Sequence, residues 1–148
     1  MRLMMIEGRD QERMSPTART LDLLRREGYL PAVVERWLPG VNVRKDLWGF
    51  GDVLAVHPGA RAFLIVQATT LPNIGSRLNR ARALPGLAVW LNAGGLFECH
   101  GWTKRNGRWA CKRVAVQAGD MNPVLVQATP RKRRRSRWQP ADLFAVLQ

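Results

Sequence analysis

The sequence predicts an α/β domain whose interior strands are covered on each side by helices, and three observations carry that expectation. Residues 51–69 alternate so that both faces of a hairpin come out apolar, which is the mark of strands buried on two sides. Stretches with helical spacing of apolar residues stand before and after that hairpin. Asn106-Gly107 then joins two further alternating runs, and Asn-Gly is the strongest short hairpin signal in the chain.

Residues 1–14 read as a loose leader. Ser15 and Pro16 make an N-cap and N1 pair that opens a helix through about Glu27, where Gly28 stops it; Ala18, Leu21 and Leu24 give it one apolar face. Val33-Val34-Glu35-Arg36-Trp37 has the β-branched and aromatic character of a first strand, and Pro39-Gly40 marks a turn after it. Gly51–Val56 and Ala62–Thr69 follow as second and third strands around a turn at Pro58-Gly59. Closing that turn with Pro58 to Arg61 pairs His57 with Ala62, Val56 with Phe63, Leu54 with Ile65, and Asp52 with Gln67. Asp52, Leu54, Val56, Phe63, Ile65 and Gln67 then share one face, and Val53, Ala55, Leu64 and Val66 line the other.

Asn73–Leu84 places Ile74, Leu78 and Ala81 at helical spacing, with Arg77, Arg80 and Arg82 turned elsewhere. Leu87-Ala88-Val89-Trp90-Leu91 is a short continuous apolar run and reads as a buried strand that completes the core. In the hairpin of Leu96–Lys104 and Arg108–Val116, a two-residue turn pairs Trp102 with Cys111, Lys104 with Trp109 and His100 with Arg113. Phe97, Cys99, Val114 and Val116 form its core face; His100, Trp102 and Trp109 decorate the other, where the tryptophans either cap the hairpin or stack on unpaired bases. Cys99 and Cys111 fall on opposite faces, which disfavours a disulfide, and with His100 they lack the paired spacing of a zinc site. His100 as a general base competes with its reading as a surface histidine. One domain over residues 15–118 is thus followed by an extension, 119–148, whose last residues, 140–147, have the makings of one or two helical turns that dock on the core or on a second subunit.

A hydrophobic content of 46% with six tryptophans excludes wholesale disorder, and no apolar run approaches the ~20 residues that span a bilayer. Leu3-Met4-Met5-Ile6 is too short for a signal-peptide core, so a cytoplasmic location is expected, and two cysteines suit a reducing compartment. A net charge of +13 calls for a polyanion. Six of those charges lie in Arg131, Lys132, Arg133, Arg134, Arg135 and Arg137, leaving +7 elsewhere. Nucleic acid is the expected partner of that run, through sequence-independent phosphate contacts that weaken with salt. A targeting signal, an anionic membrane patch and RNA or ribosome association are the competing readings.

Asp52 and Gln67, paired where the strands leave the core, offer a carboxylate and an amide carbonyl to a hard cation such as Mg²⁺ or Mn²⁺; the alternative is a polar strand end meeting solvent. Lys45-Asp46-Leu47-Trp48-Gly49-Phe50-Gly51-Asp52 leading into the second strand, with Gln67-Ala68-Thr69 on the third, resembles the PD-(D/E)XK (restriction-endonuclease-like) nuclease superfamily. The likeness spans about residues 17–116 and is greatest to phage and prophage members with a degenerate Q-x-T third-strand motif. It implies an αβββαβ core, a central mixed sheet flanked by helices with an added hairpin, and Mg²⁺- or Mn²⁺-dependent hydrolysis of duplex or branched DNA; the terminal segment, by docking on a second subunit, would make a homodimer. In the family pattern Gln67 stands where an acid would be and Thr69 where a lysine would be. The resemblance makes Asp52 and Gln67 metal ligands, Glu35 or Asp46 an added acid of the shell, and Thr69 part of the catalytic set. Surface ion pairing with arginine is the alternative for Glu35 and Asp46. Arg77 and Arg80, three apart on one helix face, are the candidates to replace the missing lysine and to bind phosphate; a solvated helix face is their alternative. A catalytically inactive DNA-binding protein on the same fold, or a basic RNA-associated or inhibitory phage protein, are the remaining functional readings.

Overall fold

Ser15 caps the first helix as its place before Pro16 predicts. In the computed structural model, which describes residues 13–121, helix α1 (Pro16–Arg26) starts with the Ser15 hydroxyl accepting the Ala18 N–H at 3.2 Å. Seven strands follow: β1 (Leu30–Val33), β2 (Arg36–Leu38), β3 (Val43–Lys45), β4 (Val53–Val56), β5 (Leu64–Thr70), β6 (Leu96–Arg105) and β7 (Arg108–Val116). A 3₁₀ turn, Leu71–Asn73, leads into helices α2 (Ile74–Arg82) and α3 (Pro85–Asn92), which fill the crossover from β5 to β6. The main sheet has the order β1-β4-β5-β6-β7 and is mixed: β5 and β6 run parallel, and the other neighbours antiparallel. β2 and β3 form a separate two-stranded hairpin.

The β4–β5 register is the one that the alternation implies. Leu54 pairs with Ile65, Val53 with Val66 and Ala55 with Leu64. Both faces are covered: Val53, Ala55, Leu64 and Val66 pack against Leu24 of α1, while Ile65 joins Phe50, Leu78, Leu87, Phe97 and Cys99 under α2 and α3. Burying apolar surface on two sides, at roughly 25 cal/mol per Å², is what makes this pair of strands the centre of the domain. The β6–β7 hairpin also keeps its expected register, Trp102 opposite Cys111, Lys104 opposite Trp109 and His100 opposite Arg113. Asn106 at φ 48° and Gly107 at φ 75° supply the left-handed pair that a two-residue turn requires.

Three expectations are corrected. The first strand is not residues 33–37: chain pairing with β4 covers Leu30–Val33, after which the chain leaves the sheet and Arg36–Leu38 belongs to the small hairpin. Pro31, lacking an N–H, is tolerated because β1 is the sheet edge. Leu87–Leu91 is not a strand but the body of α3. Pro85 at its first turn fixes a helical φ, Leu87 and Ala88 are buried, and Val89 on the opposite side is 69% exposed. The core strand expected there is β6, so the Asn106-Gly107 hairpin is part of the main sheet, and the added hairpin is β2–β3. His100 and Trp102, finally, do not decorate a surface. They are buried under α1, with the Trp102 indole N–H donated to the Thr20 hydroxyl at 2.9 Å. Alternation assigns a side chain to a face, but only the position of α1 decides whether that face is wet. Cys99 and Cys111 are free thiols on opposite faces, as expected.

Candidate metal centre and cleft

Asp52 sits where β4 begins, and its backbone ties three strands together: its N–H donates to Val66 O at 3.0 Å and its carbonyl accepts the Val34 N–H at 2.9 Å. Gly51, just before it, is pressed against Ile65, where an added Cβ would lie 2.6 Å from a side-chain methyl. A larger residue there would force Ile65 or the neighbouring backbone to shift. The carboxylate itself is only 4% exposed. Its Oδ2 accepts the Gln67 side-chain amide at 2.5 Å and the Ala68 N–H at 2.8 Å. Asp52 and Gln67 are therefore brought together as the register predicts, but Gln67 presents its NH₂ group and positions the carboxylate.

The remaining acids arrive from two irregular segments. Leu47 and Gly51 close a tight turn through paired backbone bonds of 2.8 and 3.1 Å, with Trp48 at φ 52° and Gly49 at φ 86°, and this turn doubles the chain back so that Asp46 returns to Asp52. Glu35 lies in the link between β1 and β2, and Arg44 approaches it at 3.6 Å. One carboxylate oxygen from each of Glu35, Asp46 and Asp52 lies within 4.8 Å of the others. Both candidate added acids thus reach the site, although Glu35 does so from a link and not from a strand.

This grouping has an electrostatic cost. The Asp52 carboxyl is pushed up to about 7, first by burial and then by the like charges of Asp46 and Glu35; the Ala68 N–H and the Arg77 guanidinium pull the other way. A divalent cation is the natural compensation for three clustered carboxylates, since its size and hard-oxygen preference match what they offer.

The acids line a cleft of about 670 Å³ whose other walls include Gln67, Thr69, Arg77 and Arg80. Thr69 is buried beside Gln67, two residues along the same face of β5. The helical spacing that singled out Arg77 and Arg80 does deliver both to the cleft. Arg44 and Lys45, which line it too, were not foreseen, because the short β2–β3 hairpin carrying them leaves no alternating burial in the sequence. Arg131–Arg137 lie outside the described residues, as does the terminal segment 140–147.

His100 belongs to a separate cluster. Its Nε2 lies 2.8 Å from Glu98 Oε2, and Arg113 bridges Glu98 at 2.9 Å and Glu27 at 2.7 Å. The Arg19 guanidinium lies over Trp109, 3.6 Å from its ring centroid, and Trp102 is buried. Among the described residues no helix is long and apolar enough to cross a membrane. Comparisons with protein-family models, with curated proteins and with solved structures return no match for this chain.

Proposed function

We propose that this protein is a metal-dependent DNA endonuclease with a restriction-endonuclease-like core. The observation that carries the reading is the convergence of Glu35, Asp46 and Asp52 in a cleft walled by basic residues. The succession of α1, three main-sheet strands, a helical crossover and a fourth strand supports it, as does the place of Asp52 at the second of those strands and Gln67-Ala68-Thr69 on the third. Glu35, Asp46 and Asp52 would hold Mg²⁺ or Mn²⁺. When bound, such an ion neutralises a phosphate and lowers the pKa of water.

The chain's own groups do the rest. Gln67 and the Ala68 N–H fix the direction of the Asp52 carboxylate, so that ligand geometry is set before the ion arrives. Arg77, Arg80 and Lys45 supply the positive charge that Thr69 cannot, and they favour the charge that builds on phosphate oxygens in the transition state. Thr69 contributes a hydroxyl only. That hydroxyl also favours a second reading, a DNA-binding protein that keeps the fold without the chemistry.

The two readings separate on a panel of linear, circular and junction DNA incubated with Mg²⁺ or Mn²⁺. The expected result is cleavage of at least one form by the wild type and a loss of about 10³-fold in Asp52→Ala, with folding retained. Binding with no cleavage of any form supports the second reading, and wild-type rates in the mutant remove Asp52 from the mechanism.

A further inference from the structure

Trp48 lines the cleft and Trp37 the hollow beside it, and both stand open to water, 60% and 52% exposed. Trp48 projects from the turn before Asp52 and lines the cleft. Its backbone holds φ 52°, a region that bulky residues rarely take. Its ring is steadied by Trp90 at 5.8 Å and Phe50 at 6.1 Å, so it is exposed without being loose.

Trp37 lies on the other flank. It pairs with Arg44 across the small hairpin and lines a hollow of about 330 Å³ that shares Ser15, Thr17, Glu35 and Arg44 with the main cleft. The two rings therefore border one continuous surface, with the acids between them and Arg44, Lys45, Arg77 and Arg80 around it.

A duplex offers such rings little, because its bases are already stacked and show only their edges in the grooves. A strand whose bases are unpaired offers π-faces, and stacking on aromatic side chains is the way single strands are held without sequence preference. We propose that the cleft accepts an unpaired stretch of DNA, with bases stacked on Trp37 and Trp48 on either side of the phosphate that lies over Glu35, Asp46 and Asp52. This rests on the cleft being the nucleic-acid site of the nuclease reading, and it names the substrate form for that site.

The test uses the full chain in EDTA, so that binding is read apart from cleavage. Anisotropy of a labelled poly-dT oligonucleotide and of a duplex of equal length, at one salt concentration, gives the two affinities. Trp37→Ala and Trp48→Ala should each weaken poly-dT binding about 10-fold and leave duplex binding within about twofold. Trp37→Phe and Trp48→Phe should keep most of the affinity while reducing the quenching of tryptophan fluorescence on binding. Equal losses on both DNA forms, or no loss on either, overturn the proposal. Asp52→Ala should keep the preference for the single strand; absence of cleavage by the wild type with Mg²⁺ or Mn²⁺ would sink the nuclease reading and leave this one standing.

Discussion

Asp52 and Glu98 are carboxylates held against the same five-stranded sheet, yet their surroundings drive them in opposite directions. The Glu98 carboxyl is held down at about 2, chiefly by the hydrogen bond from His100 and further by Arg113, against the effect of burial. Asp52 is pushed up to about 7 by burial and by two acids of its own charge. Around Glu98 the chain has provided its own partners, the His100 ring and the Arg113 guanidinium. Around Asp52 positive charge is short at close range, although Arg77 and Arg80 stand at the cleft wall. An ion pair that closes on itself is structural, and a cluster of like charge left unbalanced in a cleft is a candidate site.

Stability against pH offers the largest effect with which to break this contrast. Asp52 has a raised folded value, so its cost is absent below about pH 4, grows as the unfolded chain ionises, and is complete above about 7. Asp52→Asn should therefore stabilise the metal-free protein at pH 8, by on the order of 2 to 4 kcal/mol, and the gain should vanish toward pH 4. Glu98 has a depressed value, so its contribution is present above about 4.5 and is lost as pH falls toward 2. Glu98→Gln should destabilise by about 1 to 2 kcal/mol at pH 8, a figure held down by the partial exposure of the pair, and by little at pH 2. Thermal melts of both variants in EDTA read this directly; shifts of the same sign at pH 8 would mean that the two carboxylates are not in contrasting environments.

Gln67→Glu should produce a smaller change at the same carboxylate. It places another negative charge against Asp52, where Gln67 now donates a hydrogen bond. Mn²⁺ affinity at pH 8 should rise about fivefold and the metal-free melting temperature should drop by a few degrees. If calorimetry finds the affinity unchanged, Gln67 acts on Asp52 alone and lies beyond reach of the ion.

The parts of this architecture that could be read from the sequence are those in which local chemistry specifies pairing. Pro58-Gly59 and Asn106-Gly107 fix turn lengths, and with strict alternation on either side one register follows; Asp52 therefore lands beside Gln67. The Ser15-Pro16 start of α1 is equally local. What was not legible depends on contacts between distant segments. An apolar pentapeptide at Leu87–Leu91 fits a strand or a helix, and Pro85 together with burial of one side decides for the helix. The strands of the small hairpin have three residues each, too few for a periodic signal, so the sequence does not separate Glu35 from a strand or mark Arg44 and Lys45 as cleft residues. The burial of His100 depends on where α1 crosses the sheet, which alternation does not encode.

Titration of the metal-free full chain with Mn²⁺ tests most directly whether the Asp52 cluster is a cation site. Wild-type binding should be saturable and about tenfold tighter at pH 8 than at pH 6, with proton release at the lower pH, because the ion must displace the proton that Asp52 holds near 7. Asp52→Asn should lose that binding at both pH values. Affinity that is unchanged in Asp52→Asn, or a wild type that binds no Mn²⁺ at pH 8, would contradict a cation site at Asp52.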